Sequence, residues 1–251
     1  MNIIVSGWPG VGQSTLGIIL AKSLGYTLVQ GSTTFRYLGS LINLENTGAD
    51  RIKADELLEP SWGPIFEKYM QWIVSNKDNI VTETDITGFF TKDNSKVYSI
   101  FLKAPAEVRK KRLKMDGRDK DIEYIENRDA SLAKVYKELF NVDFLNEEKI
   151  KENYSIVIDN SELKIAEELE IIYSQLLEKQ AINKDTYTNL STNKENEEKF
   201  FWDNGKQKYL DILKENNSLP NAAEIIREIK QVFPADIAAL PEEIKRIVES
   251  F

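Results

Sequence analysis

Short apolar runs alternate with longer stretches whose apolar residues recur at helical spacing, and this alternation predicts a parallel α/β sheet flanked by helices. Met1 to Ser6 (Met-Asn-Ile-Ile-Val-Ser) reads as a buried strand, and Leu16, Ile19, Leu20 and Leu24 give the next segment one apolar helical face. Gly25 ends that helix and Tyr26 to Gln30 reads as a second strand. Ser32 to Ile42 has a helical pattern, and Asn43 to Pro60 is polar and turn-rich. Trp62, Ile65, Phe66, Tyr69, Met70, Trp72 and Ile73 mark an amphipathic helix whose large residues are expected to pack in the core. Asn79 to Thr82 opens a third strand that leads into Glu83-Thr84-Asp85; Val97 to Leu102 is the fourth and Ser155 to Asp159 the fifth. Between the last two lie a basic helix (Ala106 to Lys114), a charged loop and a long helix through Phe140. Leu163 to Leu177 supplies a closing amphipathic helix.

The pattern then changes. Residues 179–199 are rich in Asn, Thr, Lys and Glu and nearly free of large apolar groups, which predicts a flexible polar linker after a domain spanning 1–178. Residues 200–251 carry three helical patterns, on Phe200, Phe201, Tyr209, Leu210 and Leu213, on Ile225, Ile226, Ile229 and Val232, and on Ile244, Ile247, Val248 and Phe251 behind Pro241. So small a segment makes a weak core alone, so it is expected to pack on the main domain or on a protein partner.

Composition narrows the chemistry. Lys+Arg 33 against Asp+Glu 41 gives a net charge of −8 over 251 residues, which argues against generic binding to nucleic acid or an anionic membrane. There is no cysteine and no histidine, which excludes disulfides, thiolate chemistry, a His base and a His-containing zinc site. The chain opens on a strand pattern rather than a secretory signal and has no apolar run of membrane-spanning length, so a soluble cytoplasmic protein is expected.

Candidate chemistry centres on Gly7-Trp8-Pro9-Gly10-Val11-Gly12-Gln13-Ser14-Thr15. Between strand and helix, glycine, four residues, glycine, lysine and a hydroxyl residue make a phosphate-binding P-loop. Here Gln13 stands in the lysine position. Gly7, Gly10 and Gly12 still allow N–H groups to turn inward around a phosphate, and the helix start adds its dipole. Ser14 is placed to ligate Mg²⁺, with Thr15 beside it. Gln13 can donate a neutral hydrogen bond to a phosphate, but charge-assisted ones are about twice as strong. ATP and Mg²⁺ are the expected ligands, and binding is expected to survive better than turnover.

The stretch Arg128-Asp-Ala-Ser131-Leu-Ala-Lys-Val-Tyr136-Lys-Glu-Leu-Phe140-Asn-Val-Asp143 resembles the archaeal-type cytidylate kinase family. That family carries Arg-x-x-Ser-x-x-x-Arg-Tyr-x-x-x-Tyr-Gly-Ile-Asp there. The N-terminal P-loop, Thr33-Thr34-Phe35-Arg36, Ala104-Pro105-Ala106-Glu107-Val108-Arg109 and Ser155-Ile-Val-Ile-Asp159-Asn-Ser161 match the same family in order. The resemblance covers roughly residues 1–180. It implies a three-layer nucleoside-monophosphate kinase fold with a five-stranded parallel sheet, transferring the ATP γ-phosphate to CMP or dCMP with Mg²⁺ under an arginine-rich lid. In such an enzyme Arg36 would hold the acceptor phosphate. Arg109, Arg112 and Arg128 would neutralise transition-state charge, with Arg118 supplementing them, and Glu83 could face the Mg²⁺ and nucleotide site.

Departures fall on the phosphate-handling positions. Besides Gln13, the family's Gly-Arg pair after the third strand is Thr84-Asp85, so an arginine becomes a carboxylate. Asp85 is open to three readings: a Mg²⁺ ligand, a helix cap, or a charge that repels the acceptor. The arginine before Tyr136 is Val135, and Lys22 points from the wrong part of the P-loop helix to replace the missing lysine. The expected protein is an impaired nucleotide-binding relative that serves as a sensor or regulatory subunit. The alternatives are an active (d)NMP kinase and an interaction scaffold with a vestigial site.

Overall fold

The computed structural model describes residues 1–41, 51–118 and 120–251. Five parallel strands, β1 (Asn2–Gly7), β2 (Thr27–Gln30), β3 (Ile80–Glu83), β4 (Val97–Lys103) and β5 (Ile156–Asp159), form one sheet in the order β2-β3-β1-β4-β5. Every β1 residue is buried, because a parallel strand is covered on both faces. The helices that cover the sheet are α1 (Gln13–Leu24), α2 (Gly31–Leu41), α3 (Arg51–Asn76), α4 (Ala106–Met115), α5 (Ile122–Phe140), α6 (Glu147–Asn153) and α7 (Ile165–Glu178). All five expected strands are present within a residue or two.

Two expectations change. Helix α3 already begins at Arg51, so the turn-rich reading of Asn43 to Pro60 fails over its second part despite Pro60 and Pro64; its first part lies outside the described residues. Residues 184–199 are not a flexible linker: they form the start of α8 (Lys184–Glu215), which kinks at Gly205, where φ is 72° and ψ 172°. Asn183 caps α8 by accepting from the Thr186 N–H at 2.8 Å. The chain then continues through α9 (Ala222–Val232), α10 (Pro234–Ala238) and α11 (Glu242–Glu249).

The tail lies on the α/β layers. Phe201, Tyr209 and Leu213 of α8 join the core formed by α1, β1, β4 and α7. Ile225, Ile226, Ile229, Ile237, Leu240, Ile244 and Val248 share a second core with Phe35, Leu38 and the α3 residues Leu58, Trp62, Ile65 and Phe66. The link between α8 and α9 also touches the sheet, since the Leu28 N–H on edge strand β2 donates to the Ser218 carbonyl at 2.8 Å. A third cluster, Ile86, Phe101, Leu132, Tyr136, Val142, Phe144 and Tyr154, sits under the carboxyl ends of β3 and β4.

Candidate nucleotide-binding site

The site grows from the β1–α1 turn. Gly10 and Gly12 adopt φ of 84° and 107°, a left-handed region that side-chained residues avoid. Gly7 has no room for a side chain, because a Cβ there would lie 2.6 Å from the Leu102 carbonyl oxygen. Gly12 caps α1 without a side chain, so no side-chain oxygen caps the first-turn N–H groups, which remain able to meet an anion.

Two arginines of α4 orient the loop from outside. Arg109 is 4% exposed, and its guanidinium grips both Asp129 oxygens, at 3.0 and 2.6 Å, while Nη1 donates to the Pro9 carbonyl at 3.0 Å. Arg112 Nη1 donates to the Val11 carbonyl at 2.8 Å and to Asn160 Oδ1 at 2.8 Å, and Nη2 donates to the Asn160 carbonyl at 2.7 Å. In a planar trans peptide the C=O and the next N–H point opposite ways. Drawing the Pro9 and Val11 carbonyls outward therefore turns the Gly10 and Gly12 N–H groups inward. Arg109 and Arg112, expected to neutralise transition-state charge, contact the loop's outer carbonyls.

Burial shapes the charges around this brace. It lowers the Arg112 pKa, an effect the Glu168 carboxylate opposes. Burial pushes Glu168 up to about 7, against the pull of Arg112 and an Asn160 hydrogen bond, and Glu198 on α8 adds to the rise. Burial also raises Asp129, against Arg109. Arg128 is its neighbour on α5 and acts on that carboxylate through its charge.

Across the loop, the carboxyl end of β3 brings acids to the other wall. The Gln13 Nε2 donates to Asp85 Oδ1 at 3.1 Å, and Tyr136 Oη donates to Oδ2 at 2.9 Å. The Tyr154 hydroxyl reaches the Asp85 carbonyl at 3.4 Å. Thr84 and Thr87 hydroxyls lie 2.7 Å apart, and Thr87 donates to Glu67 at 3.0 Å. Burial raises the Glu67 pKa to about 8; hydrogen bonds from Gln71 and Thr87 resist this, and Asp85 adds to the rise. Glu83 is 2% exposed; its Oε1 accepts from Gln30 at 3.2 Å and Ser32 at 3.3 Å, whereas its buried Oε2 has no hydrogen-bond partner among the described residues.

The structure thus brings together Gly7, Gly10, Gly12, Gln13, Ser14, Thr15, Glu83 and Asp85. Arg118 lies apart, exposed and paired with Asp116 at 2.6 Å. Arg36 belongs to α2, and its side chain lies outside the described residues. Lys22 is remote from the loop, with Nζ 2.5 Å from Glu197 on α8. Ser14 and Glu83 are the oxygen donors that suit a hard cation, and the partnerless Glu83 Oε2 fits such a role. Among the described residues no group of three or more His, Cys, Asp or Glu side chains is arranged to hold a metal, so a cation here needs nucleotide oxygens as well. Sequence reasoning missed Glu67, Asn160 and Tyr154. The signals were present: Glu67 interrupts an apolar helix face, and Asn160 directly follows a strand end.

The family described as an AAA domain matches residues 3–134, more than half the chain. Cytidylate kinase of Methanosarcina mazei is 29% identical over 178 residues, covering 68% of this chain and 94% of that protein. The Methanococcoides burtonii cytidylate kinase is 30% identical over 64% of this chain and 88% of its own length, and that of Natronomonas pharaonis 32% over 57% and 74%. Among solved structures, Acinetobacter baumannii shikimate kinase in complex with shikimate is similar at 20% identity and a TM-score of 0.44, over 72% of this chain and 95% of that one. Among the described residues no helix is long and apolar enough to cross a membrane.

Proposed function

This chain belongs to the cytidylate-kinase-like family of P-loop nucleoside-monophosphate kinases, and on that premise we propose that it binds nucleotide, transfers phosphate poorly, and serves as a nucleotide sensor or regulatory protein. The observation that carries this reading is the bond from Gln13 Nε2 to the Asp85 carboxylate at 3.1 Å. The residue that should neutralise the transferred phosphoryl group is uncharged, and its donor is committed to an anion. Electrostatic stabilisation dominates phosphoryl transfer, and removing one such donor costs about 100- to 1,000-fold in kcat elsewhere.

Binding needs less. The Gly10 and Gly12 conformations, the uncapped start of α1 and the outward-braced carbonyls together favour phosphate without position 13. The family's ATP and Mg²⁺ suit these groups, with the Ser14 hydroxyl and Glu83 as the residues that would hold the cation. Mg²⁺ would supply charge neutralisation on the phosphates.

The test is transfer from labelled ATP to a panel of nucleoside monophosphates with Mg²⁺, run beside Gln13→Lys and the double variant Gln13→Lys/Asp85→Arg. No transfer above background is expected from the unmodified protein. Gln13→Lys alone should recover little, because Asp85 stands ready to pair with the new cation. Transfer by the unmodified protein, selective for CMP or dCMP, would overturn the reading.

A further inference from the structure

The head group at position 13 marks the outer end of the phosphate cradle, because the motif's lysine reaches the β- and γ-phosphates from there. Asp85 lies 3.1 Å from that head group and is firmly placed. Tyr136 holds its second oxygen, Tyr154 reaches its carbonyl, and the turn after it is tied to Glu67 through Thr84 and Thr87. A carboxylate is therefore fixed beside the place a third phosphate would occupy. The inner cradle is built differently. Its donors are main-chain N–H groups, aimed by Arg109 and Arg112, and they do not depend on position 13.

From this contrast we propose that the site selects a nucleoside diphosphate over the matching triphosphate, and that Asp85 is the residue that sets the selectivity. The inference rests on the nucleotide-binding reading above. A terminal β-phosphate in the cradle receives the inward N–H groups and the positive end of α1. A γ-phosphate beyond it meets the Asp85 carboxylate with no lysine between them, and like charges so close repel. Gln13 can serve a γ-oxygen only by releasing Asp85. Arg109 and Arg112, the α4 cations beside the loop, are engaged elsewhere: Arg109 with Asp129, and Arg112 with Val11 and Asn160. In this arrangement Gln13 and Asp85 close the cradle after its second phosphate. A protein built this way reports a falling energy charge by filling with diphosphate.

Titration calorimetry on the full chain tests this, with ADP against ATP and CDP against CTP in EDTA. The diphosphate of a pair should bind at least tenfold more tightly, about 1.4 kcal/mol. Asp85→Asn, which preserves shape, should bring the ratio below about threefold by improving triphosphate binding. Should that variant fail to fold, the unmodified protein is titrated from about 0.05 to 0.5 M salt, where screening of the carboxylate should shrink the ratio. Equal or tighter binding of the triphosphate overturns the proposal and leaves nucleotide binding standing. A ratio that neither Asp85→Asn nor salt reduces overturns the assignment to Asp85. No binding of any of the four removes the nucleotide-binding reading itself.

Discussion

Gly88 shows how tightly single residues fix the acidic wall of the site. It lies in the 3₁₀ turn Thr87–Phe90, and a Cβ there would fall 2.1 Å from the Tyr154 ring. That ring is buried against Phe89 and Phe101, and its hydroxyl reaches the Asp85 carbonyl, so it has nowhere to retreat. Gly88→Ala should therefore cost at least about 3 kcal/mol, the upper part of the usual overpacking range, measured as a shift in the denaturant midpoint. A cost below 1 kcal/mol would mean that Tyr154 does not buttress the Asp85 turn. The same scale shows what a sequence reveals. Gly10, Gly12 and Ser14 were legible because the loop's backbone geometry demands them at fixed spacing. Arg109 and Arg112 were legible as a basic run and, through the family resemblance, as charge-neutralising arginines, but not as braces of the loop. Their work is to hold two carbonyls about a hundred residues away in sequence, which no local spacing encodes.

At the scale of elements, the lesson lies in α8 and α9. The first half of α8 lacks an apolar stripe and so reads as a linker, yet α7 holds it by polar contacts converging on one carboxylate. Tyr187 donates to Glu170 at 2.7 Å, Ser191 donates to its other oxygen at 2.5 Å, and Lys194 lies 3.1 Å away. Hydrophobic periodicity finds helices that bury apolar faces, and this one buries few. Helix α9 is the opposite case: Ile225, Ile226 and Ile229 were visible as one face, and what they face was not. They lie in the same core as the α2 and α3 residues Phe35, Leu38 and Trp62, and Tyr69 on α3 donates to Glu228 at 2.8 Å. Ile226 is fully buried there, so Ile226→Ala should cost about 2–5 kcal/mol. The loss should appear as one thermal transition shifted to lower temperature. A separate early transition, with the main one unmoved, would mean that α9 to α11 form an independent unit.

For the whole molecule, buried and half-exposed carboxylates pull stability in opposite directions along the pH scale. Glu67 and Glu168 have folded-state values raised from 4.5 to about 8 and about 7, chiefly by burial, so the folded protein binds more protons than the unfolded chain between 4.5 and those values. Stability from these two is fully present below about 4.5 and is lost as pH rises through 7 to 8. Glu170 has the reverse sign. The Ser191 hydrogen bond leads several contacts that hold it near 2 rather than 4.5, so its contribution is present above 4.5 and is lost as pH falls toward 2. Partial exposure limits the size of the Glu170 contribution. The two slopes meet near pH 4.5, so stability is greatest there and declines steadily toward pH 8. Thermal melts from pH 4 to 9 should trace that decline, and Glu67→Gln should flatten it by leaving no charge to bury. The gain at pH 9 should be on the order of a few kcal/mol, the effective cost of an ion in a dry site, and near zero at pH 5. An alkaline slope unchanged by Glu67→Gln would place the buried charge elsewhere. The acids that set this slope also frame the nucleotide site, Glu67 behind Asp85 and Glu168 behind the Arg112 brace. Raising the pH toward 8 should therefore load charge onto both walls of the cradle and weaken nucleotide binding before the fold itself is lost.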